Sequence, residues 1–301
     1  MLNKINSFRV ILGACIMSLV MYSCSESPAP QVKQPNATEN TGGSLDSTKL
    51  KQLKKIFFSI PSPVEMASVI EQNGYKFDAS KLNPAGNVDK YTGEIKQAVN
   101  LGIYGADLSY ASIFDQKQVT LEYFAAAQKL SKNLGIQEAI DSKLIESMDK
   151  NQNNRDSMLN VITTAYADLT DYLKENQRVE LSALMIAGGW IEALYIVTHY
   201  AGDGRPELRQ RIAEQKYALN DLLLYMEKFG DIERLKEIKA DLVSVHQLYS
   251  GITETPGKTT TSKDKDGTLV ISGGPTLSID DATLKAISTK AVELRNKYTS
   301  I

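Results

Sequence analysis

Residues 178–201 read RVELSALMIAGGWIEALYIVTHYA, and this stretch decides the fold. Apolar residues occupy every face of a helix drawn through it, which a helix tolerates only when other helices surround it. Gly188 and Gly189 lie in its middle, where each costs ~1 kcal/mol of helix propensity relative to alanine. That cost is reasonable if a neighbouring helix presses against the backbone there. The stretch therefore predicts a central, buried helix in an all-α protein.

The chain on both sides of this helix repeats a helical pattern. Apolar residues recur every three or four positions, as they do along one face of an α-helix. Together with capping residues and glycine stops, this spacing predicts about nine helices, arranged as a helical bundle or an irregular helical array. They cover residues 63–73, 87–114, 115–134, 136–149, 152–176, 178–201, 206–229, 231–249 and 279–298. No signature recurs at a fixed period, so the sequence gives no support to a regular solenoid.

Residues 251–278 interrupt the helices before the last of them. Residues 253–267 are rich in Thr, Lys and Asp, and we expect a mobile stretch that the fold does not need. Residues 268–272, TLVIS, favour a strand and are followed by the turn residues Gly273, Gly274 and Pro275. Because a single strand cannot form a sheet, the sequence predicts one short extended or hairpin segment near 268–275 that packs on the helices.

The N-terminus predicts an exported protein with a lipid anchor. Lys4 and Arg9 precede an uncharged apolar run at residues 10–21, which is too short to span a membrane. Tyr22-Ser23-Cys24 then resembles the lipobox of bacterial lipoproteins, in a loosened form that looks like that of Bacteroidota lipoproteins. The resemblance implies a signal peptide at 1–23, lipidation at Cys24 and anchorage in the outer membrane. The alternative is an ordinary secretory signal followed by a chance cysteine.

The next segment predicts a linker. Residues 24–48 are rich in Pro, Ser, Thr, Asn and Gly, which predicts a disordered tether before a helical domain at 49–301. Surface-exported Bacteroidota lipoproteins typically carry several acidic residues just after the lipidated cysteine. This chain resembles them only in Glu26. We therefore expect a periplasm-facing protein, with the cell surface as the alternative. The helical blocks 100–110 and 123–130 look like helical Bacteroidota lipoproteins of uncharacterised function, which implies a fold and a location but no activity.

Composition and motifs exclude several function classes. Removing residues 1–23 leaves 32 of the 34 basic residues beside 36 acidic ones, a net charge of −4, which is not the basic excess of a nucleic-acid-binding domain. Of the two cysteines, Cys15 lies in the signal, so a disulfide fold is excluded. The two histidines, His199 and His246, lie on different predicted helices, and no HExxH or CxxC motif is present. The sequence thus predicts no metal site and no cofactor, and it carries no GxSxG or other catalytic motif.

Five residues could form a polar ligand site in the helical core: Asp107, Trp190, Glu192, Tyr195 and His199. Glu192, Tyr195 and His199 share one stripe of the central helix, with Trp190 near them. Asp107 interrupts an apolar stretch, and if it is buried it needs an arginine, a tyrosine hydroxyl or helix N–H groups as a partner. Perturbed titratable groups concentrate at functional sites. The alternative is a structural polar network, since buried polar groups are normally satisfied within the fold.

The leading function hypothesis is a lipid-anchored envelope protein with a non-catalytic binding or structural role. Its partners would be the membrane, through the lipid, and a protein of the envelope. One alternative is a small-ligand-binding subunit of a nutrient-uptake complex. Another is a hydrolase or lyase that uses carboxylates such as Asp107, Glu122 or Glu192 in a helical groove, because paired carboxylates meet in space rather than in sequence.

Overall fold

The computed structural model describes residues 60, 63–140, 142–263 and 269–301. Within these residues the chain forms nine α-helices, which confirms the prediction of an all-α fold with about nine helices. They are α1 (Pro63–Gln72), α2 (Glu94–Ile113), α3 (Lys117–Asn133), α4 (Ser142–Asn151), α5 (Arg155–Glu175), α6 (Val179–Tyr200), α7 (Pro206–Glu227), α8 (Glu233–Leu248) and α9 (Asp281–Thr299). The predicted signal peptide at 1–23, Cys24 and the tether at 24–48 lie outside the described residues.

Helix α6 is the centre of the bundle. It packs against α1, α2, α5, α7, α8 and α9, and every residue from Leu181 to Leu194 is buried. The apolar composition on all its faces is thus matched by neighbours on all its faces. Among the residues that the structure describes, α6 is also the one helix long and apolar enough to cross a membrane, and its apolar window is entirely buried in the bundle.

Helices α2 and α6 approach each other backbone to backbone. A Cβ atom at Gly188 would lie 2.0 Å from the carbonyl oxygen of Val99, and one at Gly102 would lie 1.8 Å from that of Met185. Both distances are far below van der Waals contact, so only glycine fits at either position. The close approach that the glycines of the central helix predict is therefore confirmed.

Tertiary side-chain hydrogen bonds, and no α-helix, hold the segment before α2 in place. The predicted helix at 87–114 begins only at Glu94, because Gly93 has a φ of 83° and residues 85–90 form a 3-10 segment. Tyr104 Oη donates to the carbonyl oxygen of Pro84 at 3.0 Å, and Tyr123 Oη donates to that of Asn83 at 2.8 Å. These tertiary bonds occupy backbone groups that a longer helix would have to satisfy itself.

Four short strands lie between α8 and α9: β1 (Thr253–Thr255), β2 (Thr259–Lys263), β3 (Leu269–Gly273) and β4 (Thr276–Ser278). β1 pairs antiparallel with β4, and β2 pairs antiparallel with β3. The extended segment near 268–275 is confirmed. The described part of the stretch at 253–267 contains two strands that the sequence does not predict, while residues 264–267 lie outside the described residues; that the fold does not need this stretch stays a prediction. β1 and β2 lie in that stretch because the later strands offer them backbone partners. β4 joins this ribbon to the bundle, since Leu277 is buried and its N–H donates to Gln210 Oε1 of α7 at 3.2 Å.

Candidate functional site

The backbone contact between α2 and α6 brings two carboxyl groups together in the core. Asp107 of α2 and Glu192 of α6 are both 0% exposed, and each side chain influences the pKa of the other. Asp107 Oδ2 also accepts from the backbone N–H of Asn83 at 3.2 Å. Glu192 Oε2 accepts from Arg295 Nε of α9 at 3.3 Å. The acid pair, Asp107 with Glu192, therefore links α2, α6, α9 and the segment before α2.

Arg295 supplies the positive charge for the acid pair. Its side chain is 12% exposed, and its guanidinium carbon lies 4.8 Å from the centroid of the Tyr195 ring, in cation–π contact. One guanidinium neutralises only one of two carboxylates. Asp107 Oδ1 and Glu192 Oε1 accept no hydrogen bond from the other described residues, which a proton shared between the two carboxyls explains.

Burial sets the protonation of the acid pair. Desolvation, and then the neighbouring Glu192 charge, raise the pKa of Asp107 well above its usual range. Desolvation also raises the pKa of Glu192 to about 7, against the opposing effects of the Arg295 guanidinium and the hydrogen bond from Asp107. The two carboxyls titrate as a unit. The acid pair thus keeps a proton to higher pH than carboxyls in water do, and the Arg295 guanidinium lies beside Glu192.

A network of amides and tyrosines surrounds the acid pair. Asn83 is 0% exposed; its Nδ2 donates to Asn100 Oδ1 at 3.2 Å, and its Oδ1 accepts from Tyr91 Oη at 3.0 Å. Asn100 Nδ2 in turn donates to the carbonyl oxygen of Tyr298 near the end of α9 at 2.9 Å. These bonds tie both the segment before α2 and the C-terminal helix to the core, as a structural network would.

The structure places three of the five residues that the sequence singles out around Arg295, and the ring of a fourth, His199, packs edge-on against the Tyr195 ring with centroids 4.4 Å apart. Asp107, Glu192 and Tyr195 meet around Arg295. Trp190 is buried on another face of α6, where its Nε1 donates to Gln215 Oε1 of α7 at 3.1 Å. His199 is exposed, and its Nδ1 lies 2.7 Å from the carbonyl oxygen of Tyr195. Glu122, the third carboxylate of the enzyme alternative, is exposed on α3.

Sequence reasoning did not find Arg295. It lies 103 residues after Glu192, and the signal was only the general one that a buried Asp107 needs a positive or hydrogen-bonding partner. Arg295 directly follows Leu294, which is on the apolar stripe of the last helix, and this position could have indicated that the Arg295 side chain lies near the core. Among the described residues, no group of three His, Cys, Asp or Glu side chains is placed to hold a metal ion.

A second region is open to solvent. A groove of about 550 Å³ runs between α4 and α5. Its polar wall consists of Glu138, Lys143, Ser147, Asn160, Thr164, Asp168 and Tyr172. An adjacent cavity of about 60 Å³ lies among α2, α3, α4, α5 and α6 and has an apolar wall. Leu144 and Ala165 line both spaces, so the groove leads from solvent towards the interior of the bundle.

No family model, curated protein or solved structure matches this chain. The acid pair has the chemistry of a general acid or base, but no solvent contact. The groove has solvent contact and both polar and apolar walls, which is the usual composition of a small-molecule site.

Proposed function

We propose that this is a lipid-anchored envelope protein whose helical domain binds a small molecule in the groove between α4 and α5 without transforming it. One observation carries the proposal: the open groove and the apolar cavity share Leu144 and Ala165 as wall residues. A ligand entering from solvent could then bury an apolar part without any rearrangement of the central helices. Sites for small molecules combine a largely apolar wall with a few polar groups in this way.

The state of the acid pair supports binding over catalysis. General acid or base catalysis requires a side chain within hydrogen-bond reach of the substrate. Asp107 and Glu192 have no exposed surface, and Arg295 already bonds to the second of them. Their bonds join three helices, which accounts for the presence of these carboxyls in the core. This argument against catalysis applies to Asp107 and Glu192 alone. It does not apply to exposed carboxylates that line the groove, such as Glu138.

Binding in the groove can be tested with N-phenyl-1-naphthylamine, an apolar dye whose fluorescence increases away from water. We expect saturable binding to the wild-type protein and loss of that binding in Ala165→Trp, because the indole would fill the junction of groove and cavity. Thr163→Trp is the matched control, since Thr163 is exposed on the same helix outside the groove. Wild-type protein without saturable binding, or Ala165→Trp with unchanged binding and normal helicity, would overturn the proposal.

The membrane part of the proposal concerns Cys24. A lipidated first residue would hold the protein on the outer membrane, since each buried CH₂ contributes about 0.8 kcal/mol. Cys24→Ala should release the protein from membranes or leave an uncleaved precursor, as cell fractionation would measure. A variant that fractionates and migrates like the wild type would contradict the anchor. Protease treatment of intact cells tests the predicted periplasmic orientation, because digestion of the helical domain would place it on the cell surface.

A further inference from the structure

We infer that the ligand of the groove is an uncharged amphiphile, with a short alkyl chain or a single ring attached to a hydroxylated head group. This inference rests on the proposed function, because it requires the groove between α4 and α5 to be the binding site. It goes further by assigning the apolar part of the ligand to the cavity and the polar part to the groove. The walls of the two spaces differ in chemistry, and that difference carries the assignment.

The wall of the cavity accepts an apolar group. Its side chains are hydrocarbons, thioethers and aromatic rings, and the Tyr166 hydroxyl is the one polar side-chain atom among them. That hydroxyl lies towards α6, where a Cβ atom at Gly189 would be 3.2 Å from it. A water molecule in a buried site needs two to four hydrogen-bond partners, which this wall does not provide. An apolar group meets no such requirement.

The size of the cavity limits the apolar group. One water molecule needs ~10–15 Å³ of such a volume, so a cavity of about 60 Å³ would hold roughly four to six water molecules. The cavity volume of about 60 Å³ therefore suits a short alkyl chain or a single aromatic ring. The apolar space opens beside the groove, and a ligand that filled it would remove its wall from water.

The wall of the cavity can also adjust to a guest. Met148 of α4 and Met185 of α6 contribute unbranched, flexible side chains, which adapt to partners of different shape. Helix α4 packs mainly against α5, and Met148 is the one fully buried residue within α4. Few contacts thus oppose a displacement of α4 away from the cavity. A chain longer than the cavity could enter by that displacement.

The groove favours a head group without net charge. Lys143 contributes an ammonium group to its wall, whereas Glu138 and Asp168 contribute carboxylates. An anionic head would be repelled by the two carboxylates, and a cationic head, although attracted by them, would be repelled by the ammonium group. Ser147, Asn160 and Thr164 offer neutral donors and acceptors in the same wall. A hydroxylated head can use these groups and meets repulsion from none of the charges.

Three ligands with the same chain and different heads test the head group. The mature chain from residue 24, carrying Cys24→Ala so that no acyl chain competes, would be titrated with 1-octanoylglycerol, octanoate and octyltrimethylammonium by calorimetry below micelle-forming concentrations. We expect 1-octanoylglycerol to bind about tenfold more tightly than either charged compound, as one additional well-placed hydrogen bond would give. Equal affinity for the three, or tighter binding of a charged compound, would overturn the neutral head while leaving the groove as the site.

A pair of variants tests the cavity. Ala127 of α3 lines the cavity and not the groove, so Ala127→Leu should fill the space and weaken 1-octanoylglycerol binding about tenfold. Ala125→Leu is the matched control, because Ala125 is exposed on the same helix. Unchanged binding in folded Ala127→Leu would place the chain elsewhere and overturn the assignment. Absence of dye and ligand binding in the wild type would overturn the proposed function itself, which distinguishes the two failures.

Discussion

The acid pair and the groove are two polar regions of one bundle, and they differ in how the helices around them pack. Asp107 and Glu192 are 0% exposed, and each accepts one hydrogen bond from elsewhere in the fold, from the Asn83 N–H and from Arg295. Between α4 and α5, the polar side chains face an open groove, and the packing behind them leaves a cavity. The two carboxyls whose pKa values burial raises thus hold helices together in the core. A ligand could bind where the packing is incomplete, between α4 and α5.

The largest expected effect comes from a variant that disrupts the acid pair. Arg295→Met removes the positive charge from the acid pair while keeping a long apolar side chain. At about pH 8 we expect a loss of ~3–5 kcal/mol in the free energy of unfolding, because removing one member leaves a buried charge without its partner. At about pH 5 the loss should be smaller, since a second proton can neutralise the remaining charge. Urea unfolding at both pH values measures the two losses.

Arg234→Met is the matched control for the previous variant. Arg234 pairs with Glu94 at the surface, and its side chain is 52% exposed. Surface ion pairs contribute about 0–1 kcal/mol, so this change should have a small effect at either pH. If Arg295→Met behaves in the same way, the acid pair does not depend on Arg295.

The second expected effect concerns the contact that brings the acid pair together. Gly188→Leu places a side chain where even a Cβ atom would lie 2.0 Å from the carbonyl oxygen of Val99. We expect a loss of about 3 kcal/mol or more, because backbone atoms cannot yield as a flexible side chain can. Gly105→Ala is the control: its Cβ would lie 3.7 Å from the Tyr166 ring, and helix propensity favours alanine by ~1 kcal/mol. An unchanged or raised melting temperature in Gly188→Leu would contradict the close contact.

The sequence predicts the central helix and the acid pair better than it predicts the groove. The apolar residues on every face of 178–201 are sufficient to identify the central helix, and Gly188 identifies the close approach. Asp107 and Glu192 stand out because polar residues are rare in such stretches. Arg295 does not, since its partner lies 103 residues away and only the fold joins them.

Helical rotation explains why two predicted site residues lie apart from the acid pair. Successive residues turn by about 100° around a helix axis, so Trp190 and Glu192 point to nearly opposite sides. His199 does lie on the stripe of Glu192 and Tyr195, but it is in the last turn of α6, where the bundle ends and solvent begins. Periodicity gives the direction of a side chain around its helix. It does not show which neighbouring helices, if any, are present at that position along the helix axis.

The groove leaves a weaker signal in the sequence. The stripe of Ile136, Ile140, Leu144 and Met148 has one apolar residue for each turn, whereas a helix packed into a core usually has more. Such a thin stripe predicts a helix with few neighbours. In the structure Ile136 and Ile140 flank a 3-10 turn, and only Leu144 and Met148 lie in α4, which packs mainly against α5. The stripe does not predict that Lys143 and Ser147 face α5 across an open space, because that depends on the loop geometry before α4.

The third expected effect is a fall in stability as the pH rises. The pKa of Glu192 is about 7 in the folded protein, against an ordinary value of 4.5, so between these values the folded state holds a proton that the unfolded state has lost. Stability from this source is complete below about pH 4.5 and is lost as the pH rises through about 7. The rise in the pKa of Glu192 alone corresponds to a loss on the order of 3 kcal/mol, at about 1.36 kcal/mol per pKa unit, and the raised pKa of Asp107 adds to this loss at higher pH.

The double variant Asp107→Asn, Glu192→Gln isolates this contribution. Amides do not titrate in this range, so the difference in unfolding free energy between wild type and variant should change across about pH 4.5 to 8. Urea unfolding at several pH values in that range measures it. A difference that stays constant with pH would mean that the acid pair holds no proton, and the two regions would then differ in packing alone.

The smallest expected effect compares the two regions by one substitution, alanine to leucine. Ala183 of α6 is 0% exposed in the densely packed region, and Ala183→Leu should cost ~1–3 kcal/mol, because no space is present for three more carbon atoms. Ala127 is also buried but borders the cavity. Ala127→Leu should therefore be neutral, or should stabilise the protein by up to about 1 kcal/mol, as cavity-filling changes commonly do. Thermal unfolding of both variants without ligand measures the contrast. Equal destabilisation would show that the space beside Ala127 cannot accept even one isobutyl group, and the same space could then hold no ligand chain.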